Sequence, residues 1–119
     1  MADDPRVICD GSALEEGGKG VRFNVRTPEG EQPAFAVRYD GKVYAYLNRC
    51  AHVPMEMDWM NGEFFDYSKL YLICATHGAA YQPDSGLCVR GPCPGRRLKP
   101  VSVEERGGLV LLVKETRYV

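Results

Sequence analysis

The stretch PAFAVRYDGKVYAYLN, Pro33 to Asn48, constrains the fold more than any other part of the chain. Asp40-Gly41 is a two-residue turn signal between β-prone runs, and such a pair accepts the positive φ angles of a hairpin turn. Centred on that turn, Phe35 and Val37 fall opposite Tyr46 and Tyr44 on one face. Ala34 and Ala36 meet Leu47 and Ala45 on the other. Both faces are apolar, so the hairpin is expected inside a layered β structure.

The remaining pattern agrees with short strands. Arg22 to Arg26 alternates polar and apolar residues and reads as a first strand. Lys69 to Cys74 (KLYLIC) reads as a short buried strand, Asp84-Ser85-Gly86 as a turn, and Leu87 to Arg90 as another strand. The chain closes on LKPVSVEE, a turn at Arg106-Gly107-Gly108, and LVLLV. No amphipathic helix, repeat or low-complexity tract is found. The expectation is an all-β, antiparallel β-sandwich forming one domain over residues 1–119. A small loop-rich subdomain, about residues 48–95, is inserted in it.

Fifteen basic and sixteen acidic residues nearly balance, so no electrostatic grip on nucleic acid or an anionic membrane is expected. The longest strongly apolar run, Leu109 to Val113, is far too short to span a bilayer. MADDPRVICDG lacks the apolar region of a secretory signal, which makes a cytoplasmic location the expectation. Five cysteines is an odd number, and in a reducing compartment it suits metal ligation better than a disulfide framework.

Both histidines of the chain stand close behind a cysteine, in Cys50-Ala51-His52 and Cys74-Ala75-Thr76-His77. Two thiolates and two neutral imidazoles form a set of soft and borderline donors. Two chemistries use that set: tetrahedral zinc, and a two-iron cluster held by two cysteines on one iron and two histidines on the other. Zinc fingers pair cysteine with cysteine and histidine with histidine, whereas here each loop offers one of each. A C-x-H loop and a C-x-x-H loop let each loop reach both irons.

With these motifs the chain resembles the Rieske ferredoxin family. Gly78 after His77, then Tyr81, Gly86 and the GPCP run from Gly91 to Pro94 continue the likeness. The resemblance implies one [2Fe-2S] cluster per chain, with Cys50 and Cys74 on the inner iron and His52 and His77 on the outer. It also implies that the loop containing Pro92 covers the cluster, and that Ala79 and Tyr81 stand where side chains tune it. Two features depart from the family: residues 53–73 make a longer gap than is usual, and Ala51 stands where proline is common. Neither loop has the extra cysteine of the high-potential branch, since 53–58 holds none and Thr76 precedes His77. The likeness is therefore to the soluble branch without a loop disulfide.

The other cysteines, Cys9, Cys88 and Cys93, are expected to pack rather than react, because no third histidine exists to activate one. In MEMDWMNGEFFDY the plain expectation is a loop that folds its aromatics back onto the domain. The alternative is an acidic and apolar docking edge. Arg90, Arg96, Arg97 and Lys99 form a basic cluster, expected to be solvated surface. Oxygen chemistry needs a second iron site, typically two histidines and a carboxylate, and no histidines are left for it. The chain is thus expected to be no enzyme by itself but an electron carrier between a reductase and a terminal oxygenase. Two alternatives are a small subunit of a reductase, resembling that of nitrite reductases, and a structural zinc module for protein binding.

Overall fold

The computed structural model describes residues 6–27, 30–49, 62–66, 68–74, 78–91 and 96–113. In these the backbone forms β1 (Arg6–Asp10), β2 (Val21–Thr27), β3 (Gly30–Tyr39), β4 (Lys42–Leu47), β5 (Leu72–Ile73), β6 (Ala80–Tyr81), β7 (Cys88–Arg90), β8 (Val103–Arg106) and β9 (Leu109–Leu112). The only helical turn among the described residues is a short 3-10 turn, Gly11–Ala13. Three antiparallel sheets result, ordered β1-β9-β8, β2-β3-β4 and β5-β6-β7.

The β3–β4 hairpin has the register read from its sequence. Phe35 pairs with Tyr46, Val37 with Tyr44, Ala36 with Ala45 and Ala34 with Leu47. Asp40 and Gly41 take φ of 53° and 77°, the left-handed pair that matches the twist of a two-residue hairpin. Side chains alternate across a strand, so this hairpin faces two cores. Ala34, Ala36, Ala45 and Leu47 pack with Leu14, Val25, Val101, Val110 and Leu112. Phe35, Val37 and Tyr46 pack with Phe64, Phe65, Leu72, Tyr81, Cys88 and Leu98. The hairpin is the middle layer, and β5-β6-β7 lies over one side of it.

Three expectations need correction. KLYLIC is a strand only over Leu72–Ile73. Its start is a turn, because the Asp66 carboxylate accepts bonds from the Ser68 hydroxyl (2.7 Å) and the Lys69 N–H (3.1 Å), and Lys69 takes a φ of 64°. The strand expected over LKPVSVEE divides. Residues 99–101 pair with β4 through Leu47 N–H to Lys99 O and Val101 N–H to Ala45 O, both 2.9 Å, and β8 begins only at Val103. Pro100 sits between those two bonds, where no N–H is required. The apparent first strand, Arg22 to Arg26, is the second: β1 precedes it and pairs with β9 through a bulge between Val7 and Cys9.

Phe64 stacks on Phe35 with ring centroids 3.9 Å apart and planes at 11°. Phe64 and Phe65 are both buried, so these two aromatics of the insert fold inward as expected, while Tyr67 lies outside the described residues. A docking edge built on those two rings is excluded. Residues 53–61 lie outside the described residues.

Candidate metal centre

Cys74 stands at the end of β5 with no solvent exposure. β5 is held in place by Ile73 N–H bonding to Phe64 O at 2.8 Å, and Leu72 pairs with Tyr81. From Cys74 the chain turns immediately. The Cys74 N–H donates to Ala79 O at 2.9 Å, and the Gly78 N–H donates back to Cys74 O at 2.8 Å. These two bonds tie Cys74 to both Gly78 and Ala79. Gly78 takes a φ of +69°, while a β-carbon there would meet nothing within 4 Å; glycine is needed for the dihedral, not for space.

Behind this loop stands a second constraint. Gly91 takes a φ of +102°, and a β-carbon on it would lie 2.7 Å from the Ala79 α-carbon and 3.1 Å from the Ala79 nitrogen. The backbone that opens the GPCP run therefore touches the backbone that closes the second Cys/His loop. β7 delivers Gly91 there, with Ala80 opposite Arg90 and Tyr81 opposite Cys88. Ala79, Ala80 and Tyr81 are all fully buried.

The first Cys/His loop leaves from the end of β4. Asn48, 1% exposed, donates its N–H to Pro33 O at 2.8 Å, and Arg49 N–H bonds to Leu47 O at 2.9 Å. Cys50, His52, His77 and Pro92 lie outside the described residues. The structure thus brings Cys74, Ala79 and Tyr81 together, and these three are the expected site residues it places. The donor chemistry fits an iron–sulfur group. Cys74 offers a sulfur shielded from water, its backbone is bonded to Gly78 and Ala79, and a histidine follows three residues later in the sequence.

Cys88 is buried on β7, with its thiol 3.3 Å from Arg90 O and its N–H bonded to Arg96 O at 2.8 Å. It packs, as its sequence context indicates. Cys9 is part-buried, and its thiol pKa is raised by that burial and then by the Asp10 carboxylate. Cys93 lies outside the described residues.

Two supports of the site were not read from the sequence. The Tyr46 hydroxyl donates to Pro83 O at 2.7 Å in the core, and burial followed by the Asp84 charge raises its pKa. A β-carbon on Gly86 would stand 2.8 Å from the Tyr46 ring, so tyrosine and glycine together fix the turn between β6 and β7. The GPCP motif points to Gly91, but its contact with Ala79 has no local signal.

An antiparallel β domain that shields a cysteine at the start of a C-x-x-H-G sequence suits a metal protein whose donors are cysteine and histidine. The family is then specific: the chain matches the Rieske [2Fe-2S] domain over residues 5–112 and belongs to that family. No curated protein matches the chain. Among solved structures it is similar to the ferredoxin of carbazole 1,9a-dioxygenase from Nocardioides aromaticivorans IC177, at 23% identity and a TM-score of 0.71. That match covers 92% of this chain and 97% of the ferredoxin. The terminal oxygenase of carbazole 1,9a-dioxygenase from Novosphingobium sp. KA1 matches at 26% identity and a TM-score of 0.76, covering 96% of this chain and 30% of the oxygenase. A complex of reduced oxygenase and oxidized ferredoxin in carbazole 1,9a-dioxygenase also matches, at 20% identity and a TM-score of 0.70, with 95% of each chain covered. No helix among the described residues is long and apolar enough to cross a membrane.

Proposed function

We propose that the protein is a Rieske-type ferredoxin, a cytoplasmic one-electron carrier between a reductase and a terminal oxygenase. Cys50 and Cys74 would hold the inner iron of one [2Fe-2S] cluster and His52 and His77 the outer, which places the imidazoles nearest solvent. The bound cluster supplies a site that takes up and gives back one electron. The chain's own residues would set its surroundings: bonds join Cys74 to Ala79 and Gly78 to Cys74, and residues from about 48 to 95 would form the cluster-bearing part of a single domain. Carrier rather than oxygenase is favoured because the match covers 97% of the length of a ferredoxin but only 30% of that of an oxygenase. The neighbouring complexes of oxygenase with ferredoxin support a protein redox partner of the same kind.

The observation that carries this reading is Cys74 shielded from water within a Rieske-family chain. Metal and sulfide analysis of the purified protein tests it. The expected result is a red-brown protein with two irons and two acid-labile sulfides per chain, reduced by one electron. Stoichiometric zinc without iron, in protein expressed with ample iron, would overturn it in favour of a structural zinc module.

A further inference from the structure

From Ser85 to Val103 the chain carries no acidic residue, while Arg90, Arg96, Arg97 and Lys99 all lie in that stretch. The fold brings the backbone segments that carry these cations side by side. Segment 96–98 runs antiparallel to β7: Cys88 N–H bonds to Arg96 O at 2.8 Å, Leu87 bridges Arg97, and Leu98 N–H bonds to Gly86 O at 2.9 Å. All four basic side chains are exposed. β7 also carries an apolar centre, since Val89 is 42% exposed between Cys88 and Arg90. Beside it, the Arg90 guanidinium sits over the Tyr71 ring at 5.6 Å, next to Leu70, another exposed apolar side chain.

This surface begins one residue from Gly91, whose backbone touches Ala79 in the loop that closes on Cys74. It is therefore both cationic and close to the second Cys/His loop. Of the two described acidic groups beside it, Asp66 is engaged within the domain and Asp84 is exposed. Asp66 accepts from Ser68 and Lys69 and faces Arg90 at 3.9 Å, and Asp84 lies in the turn before β7. Exposed arginines around an apolar contact are the composition of a protein-docking surface, and clustered cations steer an anionic partner toward it.

We propose that β7 and residues 96–99 form the docking surface for an acidic redox partner protein. Val89 makes the apolar contact, and Arg90, Arg96, Arg97 and Lys99 provide the attraction. This rests on the electron-carrier reading. One electron passes between the two proteins in the docked pair, with no bond made or broken.

The test is stopped-flow electron transfer with two probes of opposite charge. Flavodoxin hydroquinone, an acidic one-electron donor, reduces the oxidised protein and becomes the semiquinone. Ferricytochrome c, a basic acceptor, oxidises the reduced protein and becomes ferrocytochrome c. The double variant R96E/R97E should slow the flavodoxin reaction about tenfold at low salt, with the difference vanishing at high salt, and should leave the cytochrome reaction unslowed. Val89→Ser should slow the flavodoxin reaction at high salt as well. Arg97→Gln, with a smaller effect in the same direction, serves where the double variant does not fold. Flavodoxin rates within twofold of the parent, or equal slowing with both probes, would overturn the docking surface. A protein without a reducible cluster would instead overturn the carrier reading, and its colourless spectrum separates that failure from this one.

Discussion

Gly91 lies against Ala79 so closely that a β-carbon added to it would stand 2.7 Å from the Ala79 α-carbon. Ala79 cannot move away freely, because its carbonyl holds the Cys74 N–H at 2.9 Å. Gly91→Ala therefore adds a steric clash to a strained φ, which alone costs about 1–3 kcal/mol. The variant should show a lowered melting temperature and reduced iron content together. Gly78→Ala, where a β-carbon finds open space, should show the smaller loss. A Gly91→Ala protein that melts and binds iron like the parent would contradict the contact.

Two buried cysteines in one core should behave differently. Cys74 is proposed to bind the inner iron, whereas Cys88 packs on β7. Cys74→Ser should abolish the cluster absorption. Cys88→Ser should keep the cluster, losing about 1–3 kcal/mol as a hydroxyl replaces a well-packed thiol. Iron-to-protein ratios for both variants decide it, and loss of iron in Cys88→Ser would show the ligand assignment to be wrong.

Arg38 joins three segments. Its guanidinium donates to Leu14 O (2.7 Å), Gly11 O (3.0 Å) and both carboxylate oxygens of Glu105 (3.0 and 2.6 Å). The Arg38 hydrogen bond holds the Glu105 carboxyl below the usual carboxylate range. A folded-state value below the unfolded one stabilises fully above the unfolded value, and that stability is lost as pH falls through the folded value. Glu105→Gln should cost about 0.5–1 kcal/mol at neutral pH. The gap to the parent should close in acid, as followed by denaturant unfolding across pH. A pH-independent gap would contradict the pair.

Tyr81 is fully buried, opposite both Leu72 on β5 and Cys88 on β7. We expect its hydroxyl to favour the reduced, more negative cluster through the Cys74 sulfur. A net hydrogen bond of about 0.5–1.5 kcal/mol corresponds to roughly 20–65 mV for one electron. Tyr81→Phe should keep the cluster and lower its potential within that window. Equal midpoints in protein-film voltammetry would mean that the ring only packs.

The position after Gly78 is alanine, which offers no hydroxyl to a cluster sulfur, and hydrogen bonds to the sulfurs raise the potential. The midpoint should therefore fall in the lower part of the Rieske range of about −150 to +300 mV. Ala79→Ser should raise it. A parent midpoint above roughly +200 mV at neutral pH would contradict this.

The sequence alone determined what is encoded within a few residues. Asp40-Gly41 set the hairpin register through its own dihedrals, and strict alternation assigned Phe35 and Ala36 to opposite cores. The spacing of Cys50, His52, Cys74 and His77 pointed to the family to which the chain belongs, because ligand reach depends on the gaps between donors. Tertiary structure decided what depends on segments far apart in the chain. β6 is two residues long and exists only because β5 and β7 flank it; Lys69 and Leu70 left the expected strand because Asp66 captured their turn. Phe64 became core once Phe35 supplied a ring to stack on, and Gly91 acquired its role only when β7 brought it to Ala79. Dihedral preference and alternation act along the chain, whereas packing and close backbone approach need both partners in place. That is why the hairpin and the family were legible, and the braces around Cys74 were not.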